Sequence, residues 1–124
     1  MLADDDQKVR SALRLLLQEL TKQAPGTPQQ SPCLIVEAAD AAAVVDGLTE
    51  ADADLLLLDW ELPGMAAGEL IGKVRELSCG CAIIAMSGRP EAARDALDRG
   101  TDAFVSKNEP PDRLVSTLLS LMPT

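Results

Sequence analysis

The chain has 124 residues, 47% of them apolar, with 20 acidic against 11 basic residues and a net charge of −9. That length and apolar fraction suit one globular domain, residues 1–124, with a real core, and the negative charge makes a nucleic-acid backbone an unfavourable partner. The absence of histidine excludes Ser-His and Cys-His nucleophile pairs, histidine metal ligands and a phosphohistidine on this chain. No apolar run approaches the ~20 residues that cross a bilayer. Acidic residues begin at Asp4, so the N-terminus does not read as a signal peptide, and the expected location is cytoplasmic. The three cysteines, Cys33, Cys79 and Cys81, are expected to be reduced thiols, Cys81 in the core and Cys79 in a loop. Trp60 and Phe104 are the only aromatic residues, so the core must be aliphatic.

Met1-Leu2-Ala3 reads as a very short strand that turns through Asp4-Asp5-Asp6 into a helix. Val9, Leu13, Leu16, Leu17 and Leu20 follow the helical period, and Asp6 can cap that helix. Residues 23–32 hold three prolines, a glycine and no large apolar residue, and read as a loop. Cys33-Leu34-Ile35-Val36 is the second predicted strand, followed by a helix capped by Asp40 and carrying Val44, Val45 and Leu48.

Leu55-Leu56-Leu57-Leu58 cannot form a half-exposed strand, because alternate side chains would face water. Such a run fits a strand buried on both faces of a parallel sheet covered by helices. It ends in Asp59, and Pro63-Gly64 breaks regular structure just beyond. Leu70, Ile71, Val74 and Leu77 mark a third helix. Residues 81–86 form a fourth buried strand ending in Ser87-Gly88. Pro90 and Gly100 bracket a fourth helix whose inward candidates are Ala92, Ala93, Ala96 and Leu97. Residues 103–106 form a fifth strand ending in Lys107, and Pro110-Pro111 open a last helix with Leu114, Val115, Leu118, Leu119 and Met122. Strands and helices alternate five times, which implies an α/β fold with a parallel sheet and helices on both faces.

Polar residues stand at four strand ends: Asp4 and Asp5, Asp59, Ser87 and Lys107. A polar strand end is the commoner explanation for any one of them. Together they place carboxylates, a hydroxyl and an ammonium in the crevice where open α/β sheets bind ligands. Clustered carboxylates repel unless a cation joins them, and a hard divalent ion with oxygen ligands, typically Mg²⁺, satisfies that need. Carboxylates also form aspartyl-phosphate intermediates, and phosphoryl transfer is mainly positioning and charge neutralisation.

Nearly the whole chain resembles the receiver domain of two-component response regulators. The matching motifs are Ala3-Asp4-Asp5 followed by Arg10, Leu58-Asp59 with Pro63-Gly64-Met65, Ala85-Met86-Ser87-Gly88, and Gly100-Thr101-Asp102-Ala103-Phe104-Val105-Ser106-Lys107. The resemblance implies a flavodoxin-like, doubly wound (βα)5 sheet with strand order 2-1-3-4-5. It makes Asp59 the phosphoacceptor for a sensor histidine kinase or phosphotransfer protein. It gives Mg²⁺ to Asp5 and Asp59 with Asp4 assisting through water, the backbone carbonyl of Glu61 being a further ligand. Lys107 would pair with phosphoryl oxygens, and Ser87 and Phe104 would form the switch pair. Output would pass through the fourth helix, fifth strand and last helix, around Leu97, Asp102 and Arg113, to a downstream protein, an output domain or a second copy in a homodimer. Glu61 and Arg89 are expected to pair across the pocket mouth.

The chain departs from the family pattern in three places. Met1-Leu2-Ala3 is shorter than the usual apolar run. Asn108 replaces the usual proline after the lysine, where a cis bond would cost ~2.5–4 kcal/mol; Lys-Asn-Glu-Pro-Pro resembles receivers of LuxR-type regulators. Glu61 adds a charge to an acidic mouth. Two readings compete with the signalling switch, which would catalyse only its own phosphotransfer and dephosphorylation. An Asp-nucleophile phosphatase of the haloacid dehalogenase kind typically carries a second Asp where Glu61 stands, and a cap for which this chain has no spare length. A degenerate receiver would bind partners without phosphorylation, against which the intact Asp4, Asp5, Asp59, Ser87 and Lys107 argue. No output segment follows Thr124, so the domain is expected to act alone through protein contacts or to belong to a longer regulator.

Overall fold

The computed structural model describes residues 1–23, 36–50, 53–78 and 80–121, leaving aside the side chains of 20–23 and 111. The sheet contains β1 (Leu2–Ala3), β2 (Glu37–Ala38), β3 (Leu55–Asp59), β4 (Ala82–Ser87) and β5 (Ala103–Ser106). The helices are α1 (Gln7–Gln23), α2 (Ala41–Glu50), α3 (Ala67–Leu77), α4 (Ala92–Asp98) and α5 (Pro111–Leu121). All pairings are parallel and the strand order is β2-β1-β3-β4-β5, the flavodoxin-like order expected.

The leucine run explains the layering. Side chains alternate across a strand, so Leu56 and Leu58 join Ile83 and Ala85 under α2, α3 and α4, with Val44, Leu70, Val74 and Ala96. Leu57 joins Ile84, Met86 and Val105 under α1 and α5, with Leu13, Leu17, Leu114 and Leu118. Both faces are covered, which is why the run needs no polar alternation. Full burial of each such leucine is worth roughly 1.5–3 kcal/mol.

The short first strand still holds the centre of the sheet. The Leu2 and Asp4 amides donate to the Val36 and Ala38 carbonyls at 2.8 and 3.0 Å, and the Leu57 amide donates to the Met1 carbonyl at 2.9 Å. The second strand lies later than predicted: Glu37 and Ala38 pair with Leu2 and Ala3, and Val36 contributes only its carbonyl. Residues 33–35, the remainder of the predicted loop at 24–32, Cys79 and Met122 lie outside the described residues.

Helix ends follow local chemistry. A carboxylate oxygen of Asp6 accepts from the Lys8 amide at 2.9 Å, and one of Asp40 accepts from the Ala43 amide at 2.8 Å, so both acids cap as expected. Gly100 has φ +103° at the end of α4, a conformation glycine adopts without a Cβ penalty. The Thr101 amide then returns to the Ala96 carbonyl at 3.2 Å, closing the helix in the manner of a Schellman cap. Among the described residues the other positive φ, +104° at Gly64, turns the β3–α3 loop.

Some predicted inward residues face out. Leu97 is 49% exposed, Leu77 37% and Leu119 56%. Leu77 is the last residue of α3, and Leu97 and Leu119 each directly follow a buried residue, Ala96 and Leu118, and are turned away from the buried stripe. In α4 only Ala92 and Ala96 are buried. Among the described residues no helix is long and apolar enough to cross a membrane.

Candidate functional site

The register puts the chemistry at one end of the sheet. Asp59 lies level with Met86, and Ser87 level with Ser106, so the residues that leave β3, β4 and β5 emerge side by side. Asp4 follows β1 on the other flank of β3.

Two clusters form there. In the first, ligand atoms of Asp4, Asp5 and Asp59 all lie within 4.8 Å of one another. Asp4 and Asp59 are buried and Asp5 is exposed. Lys107 Nζ reaches Asp4 Oδ2 at 2.8 Å and Asp59 Oδ1 at 3.2 Å. The Glu61 amide also donates to Asp59 Oδ1, at 3.0 Å, so both contacts fall on one oxygen. Asp4 Oδ1 accepts from the Asp6 amide at 2.9 Å, and the Arg10 guanidinium donates to the Asp4 carbonyl at 2.6 Å. Arg10 and Arg14 are in turn held by Glu37, at 3.0 and 2.7 Å, which fastens α1 to the end of β2.

Burial raises the Asp59 carboxyl above its ordinary range, and the Glu61 amide and Lys107 ammonium oppose that rise without cancelling it. For Lys107 burial alone favours the neutral amine, but the hydrogen bond to Asp4 and the charges of Asp59 and Asp4 outweigh it and hold the ammonium above its usual value. Three carboxylates thus face one ammonium. Their donors are all oxygens within reach of a single ion, which fits a hard divalent cation such as Mg²⁺.

The second cluster stands beside the first. Ser87 is fully buried, and its hydroxyl donates to Glu61, with Oγ 2.8 and 3.0 Å from the two carboxylate oxygens. Ser87 Oγ accepts from the Arg89 amide at 3.0 Å. Arg89 Nη2 lies 3.2 Å from Glu61 Oε2, so the pair expected across the mouth is present. Phe104 lies level with Ala85 on β5, partly buried against the α2–α3–α4 core.

Several contacts were not anticipated. The Ser87–Glu61 bond joins residues 26 positions apart; Ser87 ends β4 and Glu61 lies just past the end of the adjacent β3, which is the only sequence signal for it. Asn108, in place of the family's proline, donates its side-chain amide to the Gly88 carbonyl at 2.8 Å, and no described peptide bond is cis. Asp102, expected on a partner surface, is exposed, and one of its carboxylate oxygens also serves the fold: Oδ2 accepts from the Ile83 amide at 2.7 Å and from Arg75 at 3.1 Å. Arg75 also donates to the Cys81 and Gly100 carbonyls, at 2.6 and 2.8 Å, so Asp102 helps to join α3, β4 and β5.

The chain is similar to known proteins in sequence and fold. The family model of the response regulator receiver domain matches residues 1–119. The nitrate/nitrite response regulator NarL of Escherichia coli is 29% identical over 95% of this chain, which covers 51% of that protein. The chain therefore spans about half the length of the curated relatives it matches. A LuxR-family two-component response regulator from an Aurantimonas species superposes with a TM-score of 0.79 at 26% identity, over 98% of this chain and 81% of that one. TrrA of Thermotoga maritima, solved in complex with Mg²⁺ and BeF, superposes with a TM-score of 0.77 at 24% identity, over 98% of this chain and 96% of that one. The strand order, the carboxylate cluster at the sheet's end and these matches have one explanation: the chain belongs to the response regulator receiver domain family of two-component systems.

Proposed function

We propose that this domain is a phosphorylation-dependent switch in which Asp59 accepts a phosphoryl group from the phosphohistidine of a sensor kinase or phosphotransfer protein. The observation that carries this reading is a buried carboxylate, Asp59, placed with Asp4 and Asp5 around a site for one cation and bridged to Asp4 by Lys107. Mg²⁺ would be held by Asp4, Asp5, Asp59 and the main-chain carbonyl of Glu61, and would neutralise charge on carboxylate and phosphoryl oxygens.

The residues divide the work. Asp59 Oδ1 is occupied by the Glu61 amide and Lys107, so Oδ2 is the attacking oxygen. A P–O bond forms as the P–N bond of the donor breaks; the electron pair leaves with the imidazole nitrogen. Lys107, held between two carboxylates, is placed to follow the phosphoryl oxygens. Ser87 donates to the new anion, and Phe104 shifts behind it. The domain performs its own phosphorylation and dephosphorylation and needs no other turnover.

A groove of about 490 Å³ runs from Lys107 between α1 and α5 and is lined by Leu13, Leu15, Leu16, Pro110 and Leu114. Leu15 is 65% exposed. A helix of the donor lying there would bring its phosphohistidine to Asp59. Output would pass through the α4-β5-α5 face around Leu97, Asp102 and Arg113, to a cytoplasmic partner, an output domain or a second copy.

Acetyl phosphate with Mg²⁺ tests the reading. One phosphoryl group is expected, on Asp59 alone. Asp59→Asn should abolish labelling, and Asp5→Ala should weaken metal binding and slow labelling strongly. Labelling of Asp59→Asn at the wild-type rate would overturn the assignment.

A further inference from the structure

Ser87 has one hydroxyl hydrogen, and it serves one acceptor at a time. In this structure it goes to Glu61, whose two oxygens lie 2.8 and 3.0 Å from Oγ. Nothing in the burial of Glu61 requires this. Its side chain is 42% exposed, and a carboxylate at the rim is well satisfied by water. It nevertheless folds back over a fully buried serine, and Arg89 holds it there from the solvent side at 3.2 Å. Ser87 Oγ meanwhile accepts from the Arg89 amide, which fixes the oxygen and directs its single hydrogen. A hydroxyl donating to an ionised acceptor makes the stronger class of hydrogen bond, and both groups that could take it here, a carboxylate and an acyl phosphate, are anions.

We propose that Glu61 is an intramolecular competitor of the phosphoryl group: in the resting domain its carboxylate occupies the Ser87 hydroxyl, and an anion on Asp59 must displace it. The proposal rests on the reading of Asp59 as phosphoacceptor. Binding that needs the free hydroxyl is weakened in proportion to the fraction of molecules in which that hydroxyl is released. Glu61 thereby sets how much phosphoryl donor is needed to switch the domain, and Arg89 strengthens the hold by tethering the competitor. The carboxylate would also repel an anion in the pocket through its charge alone, so the two effects must be separated.

Beryllofluoride in the presence of Mg²⁺ separates them, with binding read both from Trp60 fluorescence and from the fluorine NMR signals of the bound anion. Four proteins are compared: wild type, Glu61→Ala, Ser87→Ala and the double variant. Glu61→Ala is expected to tighten binding about tenfold when Ser87 is intact, the factor for a hydroxyl free about a tenth of the time. In the Ser87→Ala background, with no hydroxyl to release, the gain should fall to about twofold or less. Glu61→Gln, which keeps a neutral acceptor, should lie between wild type and Glu61→Ala. An equal gain in both backgrounds would reduce Glu61 to a source of repulsion and overturn the competitor. So would no gain with Ser87 intact, with wild-type binding retained and the phosphoacceptor reading left standing. Failure of every variant, wild type included, to bind the anion would remove both readings.

Discussion

The hydroxyl of Ser87, the last residue of β4, lies 2.8 Å from a carboxylate oxygen of Glu61 in the loop that leaves β3. The same carboxylate is paired with Arg89. One side chain at the mouth therefore touches the buried Ser87 hydroxyl on one side and the Arg89 guanidinium on the other, and its two contacts have separable consequences.

Once a phosphoryl group has taken the Ser87 hydroxyl, Glu61 keeps only Arg89. An exposed pair is worth ~0–1 kcal/mol and does little for folding. Bridging the mouth, it would hinder the water that must align with an acyl phosphate on Asp59. Arg89→Ala is expected to speed phosphate loss from Asp59, by freeing Glu61 to orient that water as a weak base. Glu61→Gln should remove the effect, so the double variant should be non-additive. Dephosphorylation rates of the four proteins check this, and additive effects would leave the pair without a kinetic role.

Asp59 has a cost when ionised and without metal. Because burial raises its pKa in the folded state, Asp59 favours folding at pH below the ordinary carboxylate range. That contribution is lost as pH rises through the folded-state pKa. In chelator at pH 7, Asp59→Asn is expected to have a higher urea midpoint than wild type, since the amide keeps an acceptor for the Glu61 amide and sheds the charge. The advantage should shrink as pH falls through the raised folded-state pKa of Asp59, and be lost once pH is below the ordinary carboxylate range. Equal midpoints across that range would show that the buried charge is fully compensated.

Helix α4 should be the most mobile helix. It buries Ala92 and Ala96, whereas α3 buries Leu70, Ile71 and Val74. A large side chain contributes roughly 1.5–3 kcal/mol on full burial and alanine far less, so α4 is weakly anchored and a small event can shift it. Amide hydrogen exchange should show lower protection in residues 92–98 than in α3, with protection changing on addition of beryllofluoride. Protection equal to that of α3 would identify a rigid helix.

The groove beside Lys107 predicts a difference between donors. Leu15→Asp puts a charge on an apolar surface that a protein donor would cover but a small molecule would not. Phosphotransfer from a histidine kinase or phosphotransfer protein should slow about tenfold or more, the scale of an interface position worth over 1 kcal/mol. Labelling by acetyl phosphate should be unchanged. Equal slowing with both donors would place the effect in the fold and not in docking.

The fold was legible in the sequence because burial on both sheet faces leaves a visible trace. Four leucines without a polar interruption admit few structures, and the acid that ends them must lie at the sheet's carboxyl edge. Asp4, Asp5, Asp59, Ser87 and Lys107 could be assembled for the same reason: parallel strands all end on one side, so residues far apart in the chain share an edge. Tertiary structure alone decided what those residues touch. Lys107 bridges Asp4 and Asp59, and Ser87 gives its hydrogen to Glu61, because loops from different strands meet at distances of a few ångströms that no local pattern encodes. It also decided that Leu97 and Leu77 face outward. Helical periodicity marks a stripe, but how far round the helix that stripe is covered depends on where the sheet ends beneath it.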